Sequence, residues 1–309
     1  MSLALKDKIR RCWPGDILWD CPLANFTTLK VGGPADALIQ PQSKEALSRL
    51  VGCLHEEGIP WQVIGRGSNI LVADQGVAGV VIMLGREFAA IEEMPGSDGP
   101  RLSVEAGCSL AKLLHWCWAH RISGLEFVTG IPGSVGGAIM MNAGAWGGDM
   151  GQVLCSVELL DDLGQIEERP LTPAEFCYRG WRHPHGKVVI AGQFALHYDN
   201  KLAIAARCHS LAQQRRAKQP KGVASAGSFF KNPSGDAAGR LLEQAGVKGL
   251  RVGGAEVSRV HANFLVNRGA ASAKNFWELM QLVQQQVEKK FGVKLQPEVK
   301  FLGRWEESK

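Results

Sequence analysis

Three short glycine-rich stretches gather the residue types that invite chemistry. Gly65-Arg66-Gly67-Ser68-Asn69 lies between two apolar runs. A loop this small can turn successive backbone N–H groups toward one point, forming a nest for an anion. Glycine supplies the backbone freedom, and Ser68 and Asn69 add side-chain donors. Phosphate binding and a plain strand-to-strand turn both fit this stretch. Gly130-Ile131-Pro132-Gly133-Ser134-Val135-Gly136-Gly137-Ala138, running into Asn142-Ala143-Gly144-Ala145, is a second such loop. Two anion cradles on one chain suit a diphosphate shared between them. Glycine-lined packing of helix on strand is the competing reading. Neither loop has the Rossmann spacing, and no Walker-type lysine is followed by Ser or Thr. A bulky dinucleotide such as FAD held by loops therefore fits better than NAD held by a βαβ unit.

Gly227-Ser228-Phe229-Phe230-Lys231-Asn232-Pro233 is the third stretch. A serine beside glycine, with lysine and asparagine close behind, can donate a proton and hold an anion. No nearby His–Asp pair or GxSxG sequence marks Ser228 as a hydrolase nucleophile. Taken alone, the stretch reads as a structural turn. His183-Pro184-His185 is an HxH pair, but no carboxylate-rich ligand set follows it, so it reads as a solvated turn and no metal is expected. His261 and Glu298 sit in strand-like segments, where burial or pairing is the default, and nothing local marks Glu298 as functional.

The elements that must position these groups can be read from periodicity. Strands are expected over residues 35–40, 61–64, 70–72, 80–84, 101–105, 153–160 and 187–197. Ser43 and Ser109 offer N-caps for helices through 57 and 120. A basic helix runs from about 202 to Lys218, followed by a loop at 219–222. The last hundred residues read as a βαβ-like unit: a strand edge at 228–231, a helix over 236–245, a strand over 260–267, a long helix capped by Ser272, and a final strand over 293–302. Trp116 and Trp118 read as core or domain-contact residues. Overall the chain is α+β.

Composition sets the outer bounds. At 309 residues, with 45% hydrophobic and 21% charged residues, the chain is globular and large enough for two or three compact units. No run is long and apolar enough to span a bilayer, and the N-terminal residues 1–11 carry charge without the apolar stretch of a secretory signal. The net charge of +5 favours anionic ligands but is too dispersed to argue for nucleic acid. The eight cysteines form no CxxC pair, so they read as small buried hydrophobes in a reducing, cytoplasmic compartment, without a zinc or disulfide framework.

Set side by side, these segments resemble the UDP-N-acetylenolpyruvoylglucosamine reductase family. The resemblance rests on Asn25-Phe26-Thr27-Thr28-Leu29-Lys30-Val31-Gly32-Gly33-Pro34-Ala35-Asp36, the Gly65 loop, and the Gly130 loop through Gly144. It continues through Tyr178-Arg179, residues 226–233, His261-Ala262-Asn263-Phe264-Leu265-Val266-Asn267 and Leu295-Gln296-Pro297-Glu298-Val299. It implies a two-part FAD-binding domain of the vanillyl-alcohol-oxidase type over residues 1–205, with subdomains at about 1–85 and 86–205. A smaller α/β substrate-binding domain would occupy 206–309.

The implied reaction uses NADPH to reduce FAD, and the flavin then reduces the enolpyruvyl group of a UDP-sugar to give UDP-N-acetylmuramate for peptidoglycan. The catalytic set falls on Arg179, Ser228 and Glu298. Arg179 and a protonated Glu298 would stabilise charge on the substrate carboxylate, and Ser228 would protonate the carbanion. Gly65, Arg66, Gly67, Ser68, Asn69, Gly130, Ile131, Pro132, Gly133, Ser134, Gly136, Ala138 and Asn142 would hold FAD. Lys218, Lys231 and Asn232 are the candidates for the substrate diphosphate.

The chain departs from the family pattern after Arg179, where Gly180-Trp181-Arg182 replaces the usual small residue two positions on. Its two tyrosines, Tyr178 and Tyr198, lie in no inserted loop, which implies the shorter subclass. A monomer without membrane insertion is expected. Another FAD-dependent oxidase of the same superfamily, and a non-catalytic nucleotide-binding homologue, are the alternative readings.

Overall fold

In the computed structural model, residues 2–95, 99–182 and 186–305 are described. The chain divides into two compact units. One comprises Met1–Leu18, Ala37–Arg66 and Gly79–Gln214; the other comprises Trp19–Asp36, Gly67–Ala78 and Arg215–Lys309. The α+β class expected from the sequence is the one observed.

In the first unit, Trp61–Ile64 pairs in parallel with Val77–Met83, in the register Trp61↔Val80 to Ile64↔Met83. The helix Lys44–Glu56 buries Leu47, Leu50, Val51 and Leu54. Ser43 caps it by accepting from the Ala46 N–H, as the sequence predicts. A second sheet runs in the order Ile166–Pro170, Leu154–Leu160, Val188–Ala195, Arg101–Glu105, Ile91–Met94, with every pairing antiparallel. The helices Leu110–Ala119 and Val135–Met140 share its core, which includes Leu102, Val104, Leu113, Ile139, Val157 and Phe194. Trp116 packs against that core from a half-buried position.

Cysteine usage needs a correction. Cys12, at the end of the helix Leu3–Cys12, is joined to Cys53 by a disulfide with Cα atoms 5.3 Å apart. No local pattern marks it, because the partners are 41 residues apart and meet only when two helices pack. Lys8 and Arg11 pair with Glu57 at the same contact, each at 3.1 Å. Cys21, Cys108 and Cys117 do behave as buried thiols. Burial pushes the Cys117 thiol up to about 12 and the Cys108 thiol up to about 11.

The second unit corrects the βαβ expectation. Its four-stranded sheet, in the order Ala224–Ser225, Leu265–Asn267, Ala255–Val257, Arg251–Val252, is antiparallel throughout. The reason is local: Gly253-Gly254 closes a two-residue hairpin, with Gly253 at φ +52°, and such a turn can join only antiparallel neighbours. The strand expected over 260–267 shrinks to its last three residues. Before it, Phe264 N–H turns back to His261 O and the Ser258 hydroxyl accepts from Val260 N–H.

The final strand is also shorter than its apolar pattern, covering only Lys300–Leu302 and pairing in parallel with Ile70–Val72. Pro297, which has no N–H to donate, sits in a single bridge to Phe230 instead. The long helix Ala273–Phe291 is as expected. Ser272 and Asn275 cap each other, the Asp74 carboxylate accepts from the Ala273 and Lys274 N–H groups, and Gly292 ends it at φ +68°. Its apolar face, with Phe276, Leu279, Val283 and Val287, fills this unit's core.

Candidate active site

The strand Trp61–Ile64 delivers the chain to Gly65, where a side chain would crowd Ser134. A Cβ there would lie 2.6 Å from Ser134 Oγ. The two glycine-rich loops therefore touch at Gly65 and Ser134 within the first unit. Ser134 is 3% exposed and caps the short helix Val135–Met140, accepting from Gly137 N–H. Gly136 is equally confined, since a Cβ there would meet the Ala106 Cβ at 2.7 Å. Gly130 and Pro132 are exposed, and Ile131 is half-buried. The loop thus shows its backbone outward while Ser134, Gly136 and Ala138 pack inward. A groove of about 400 Å³ along it is lined by Gly130, Ile131, Leu114, Trp118 and Cys208. A wider depression of about 790 Å³ around Arg121, Tyr198 and Lys201 contains none of the predicted residues.

Two side chains hold the second loop at its ends: Glu126, which no sequence motif marks, and Asn142, one of the expected cofactor residues. Glu126, 8% exposed, accepts from the Ser123 hydroxyl at 2.8 Å, Gly124 N–H at 2.9 Å and Arg207 at 2.8 Å. Burial works against its charge, but Arg207 and the Gly124 N–H outweigh burial and hold its pKa below the usual range. The Glu126 carbonyl in turn accepts from the Thr129 hydroxyl at 2.6 Å, immediately before Gly130. At the far end Asn142, 3% exposed, donates to Cys177 O at 3.1 Å and accepts from Gly151 N–H at 2.9 Å. Its amide is hydrogen-bonded within the protein, tying the loop to the segment that bears Arg179.

That segment is a tight hairpin, Phe176–Cys177 against Gly180–Trp181, with Tyr178 and Arg179 at its tip. Arg179 takes φ +58°, a left-handed conformation uncommon for a side-chain-bearing residue. Its guanidinium lies 4.9 Å from the Tyr178 ring centre. Trp181, the departure from the family pattern, is 6% exposed and stacks on Phe176 with ring centres 5.7 Å apart. It packs beneath the turn. His183-Pro184-His185 lies outside the described residues.

In the second unit, Ser228 and Glu298 ride on adjacent antiparallel segments. Phe230 bridges Pro297, Glu298 N–H donates to Phe229 O at 2.8 Å, and Lys231 N–H donates to Gln296 O at 2.8 Å. Asn69 belongs to the same arrangement: its side-chain amide donates to Glu298 O at 3.2 Å, and its carbonyl accepts from Lys300 N–H at 3.0 Å. Gly67 is required where it stands, because a Cβ would lie 2.0 Å from Phe26 O and its φ is +62°.

Lys218 is exposed at the end of the helix Lys201–Lys218, and Lys231 is half-buried. The Asn232 side-chain oxygen accepts from Ala238 N–H at 3.0 Å, steadying the start of the helix Ala238–Gln244. His261 accepts from Asn263 N–H at its Nδ1, 3.2 Å away. Burial, and then the charge of Lys248, hold its pKa below the ordinary histidine value, with Glu243 acting the other way.

The chemistry of the donor set fits a diphosphate-bearing cofactor. Neither residues 65–69 nor residues 130–142 contain a carboxylate, and they carry backbone N–H groups, the Ser68 hydroxyl and the Arg66 guanidinium, whereas the side chains of Asn69, Ser134 and Asn142 bond within the protein. Among the described residues no cluster of His, Cys, Asp and Glu is arranged to hold a metal, and no helix is long and apolar enough to cross a membrane.

Comparison with known proteins gives the arrangement a context. An FAD binding domain family matches residues 35–168, and the UDP-N-acetylenolpyruvoylglucosamine reductase C-terminal domain matches residues 219–302. The chain is 44% identical over 293 residues to UDP-N-acetylenolpyruvoylglucosamine reductase 2 of Symbiobacterium thermophilum, covering 94% of this chain and 93% of that one. It is 39% identical to the reductase of Bacillus subtilis, over 94% and 95% of the two chains. The crystal structure of the reductase from Thermus caldophilus superimposes with a TM-score of 0.78 at 38% identity, covering 93% of this chain and 98% of that one.

Proposed function

The chain belongs to the UDP-N-acetylenolpyruvoylglucosamine reductase family, and from that premise we propose an NADPH-dependent reduction of the enolpyruvyl UDP-sugar in which Ser228, Glu298 and Arg179 act on the substrate. The loops of residues 65–69 and 130–142 hold FAD, which when bound supplies a hydride taken from NADPH. Addition of hydride to the terminal alkene carbon leaves an electron pair on the carbon next to the carboxylate. Arg179 and a protonated Glu298 stabilise the charge that spreads onto the carboxylate oxygens. The Ser228 hydroxyl gives its proton to the carbanion and regains one from water. Lys218, Lys231 and Asn232 receive the diphosphate. The substrate domain is residues 206–309 and the FAD-binding domain residues 1–205, and the enzyme works as a cytoplasmic monomer.

One observation carries most of this reading. The segments bearing Ser228 and Glu298, about seventy residues apart in the chain, are hydrogen-bonded side by side through Phe229 O and Glu298 N–H. A proton donor and a carboxyl group for one substrate need such a common frame.

Single-turnover spectroscopy of the flavin tests it. NADPH added anaerobically is expected to bleach the parent and Ser228→Ala alike. The enolpyruvyl substrate is expected to restore the colour quickly only in the parent. Reoxidation of S228A at the parent rate overturns the serine's role. Failure of NADPH to bleach the parent favours an oxidase, and purified protein without flavin absorbance favours a non-catalytic homologue. A sedimentation mass well above 33.4 kDa would refute the monomer.

A further inference from the structure

A serine hydroxyl is a weak acid, so its use as a proton donor depends on where it is held. The residues that follow Ser228 are held by one side chain. Asn263 is 3% exposed. Its Oδ1 accepts from Phe230 N–H at 2.9 Å, and its Nδ2 donates to Phe230 O at 2.8 Å. Its own carbonyl accepts from Phe229 N–H at 2.7 Å. One asparagine thus satisfies both backbone groups of Phe230, as a neighbouring strand would. On the opposite side Glu298 N–H donates to Phe229 O and Gln296 O accepts from Lys231 N–H, each at 2.8 Å. Both phenylalanine rings are fully buried. The backbone after Ser228 is gripped from two sides and anchored beneath.

We infer that Asn263 is a positioning residue for Ser228, fixing the point at which the serine proton is delivered through the paired hydrogen bonds to Phe230. The inference rests on the proton-donor reading of Ser228. No other side chain reproduces the grip. An ionised aspartate presents oxygen to Phe230 O in place of a donor. Glutamine is a methylene longer and displaces the peptide, and leucine leaves two buried backbone groups without partners. The strand-like hydrophobic pattern of residues 262–266 hides this role, because the asparagine occupies what reads as an ordinary sheet position.

FAD-loaded Asn263→Asp and Asn263→Ser, alone and combined with Ser228→Ala, test it. For the single variants, NADPH is expected to reduce the flavin at the parent rate. Reoxidation by the enolpyruvyl substrate is expected to slow by about 10²-fold, the usual consequence of misplacing a reacting group by an ångström. Amide exchange at Phe229 and Phe230 is expected to accelerate. In the S228A background the Asn263 changes are expected to slow reoxidation no further, since a residue acting through Ser228 has nothing left to position.

If S228A itself reoxidises at the parent rate, the serine reading fails and takes this inference with it. If S228A is slow but the Asn263 variants reoxidise at the parent rate, slow both half-reactions equally, or slow S228A further by their own factor, the positioning role alone is overturned. Loss of flavin from both Asn263 variants overturns it as well, because the residue would then maintain the fold.

Discussion

Asn69 donates its side-chain amide to the backbone carbonyl of Glu298, 229 residues further along the chain, at 3.2 Å. The bond gives a residue first read as a phosphate donor a second duty, fixing the backbone of the carboxyl residue. Asn69→Ala is expected to lower stability by about 1 kcal/mol, the net worth of one such bond. It should also slow reoxidation of reduced flavin by the enolpyruvyl substrate more than reduction by NADPH. Urea unfolding and stopped-flow absorbance check the two parts separately.

Gly65 offers a test of the cofactor cradle that does not depend on turnover. Its φ is not in the left-handed region, so Gly65→Ala is opposed by the 2.6 Å approach of Ser134 Oγ rather than by backbone strain. The variant is expected to purify with much less FAD per chain, read from the ratio of flavin to protein absorbance. Adding Ser134→Gly removes the obstructing hydroxyl and is expected to restore part of the flavin. Unchanged flavin content in G65A would mean that the contact relaxes freely.

Acid stability should report on Glu126. Its pKa in the folded protein lies below the unfolded value of about 4.3, because Arg207 and the Gly124 N–H outweigh the effect of burial. The folded state therefore binds this proton less tightly than the unfolded chain does. The stabilisation is complete above pH ~4.3 and is lost as pH falls through the lower, folded pKa. Glu126→Gln is expected to cost about 1–3 kcal/mol at pH 7. The gap between parent and variant should narrow below pH ~4, as measured by urea midpoints across the acid range.

The disulfide gives a prediction in thiol count and melting temperature. Denatured without reductant, the chain is expected to show six reactive thiols, those of Cys21, Cys108, Cys117, Cys155, Cys177 and Cys208, and eight after reduction. Cys12→Ser is expected to lower stability by up to about 4 kcal/mol, the chain-entropy value for closing a loop of 41 residues. Reduction of the parent should reproduce the shift in melting temperature, and no shift on reduction would mean that the bridge does not form in solution.

The strongly periodic helices were legible in advance. Lys44–Glu56, Leu110–Ala119 and Ala273–Phe291 follow from an apolar stripe at helical spacing and a serine at the first cap. So were the two glycine-rich loops, because a side chain would meet Phe26 O at Gly67 in the first and the Ala106 Cβ at Gly136 in the second. The apolar pattern overextends the short strands near the C-terminus. An apolar run records burial, whereas a ladder also needs a partner at each N–H, which Pro297 and the turn at His261 do not supply.

Sequence alone, through residue types and their order along the chain, determined the family and the candidates for cofactor and substrate. Tertiary structure decided which of those residues act on one another: Asn69 with Glu298, Asn263 with Phe230, Asn142 with Cys177, and Cys12 with Cys53. It also placed Trp19–Asp36 and Gly67–Ala78 in the same compact unit as the C-terminal residues. Local preferences extend over a few residues and leave their mark in periodicity. A hydrogen bond or disulfide between distant residues depends on how whole elements pack, and no local pattern encodes that.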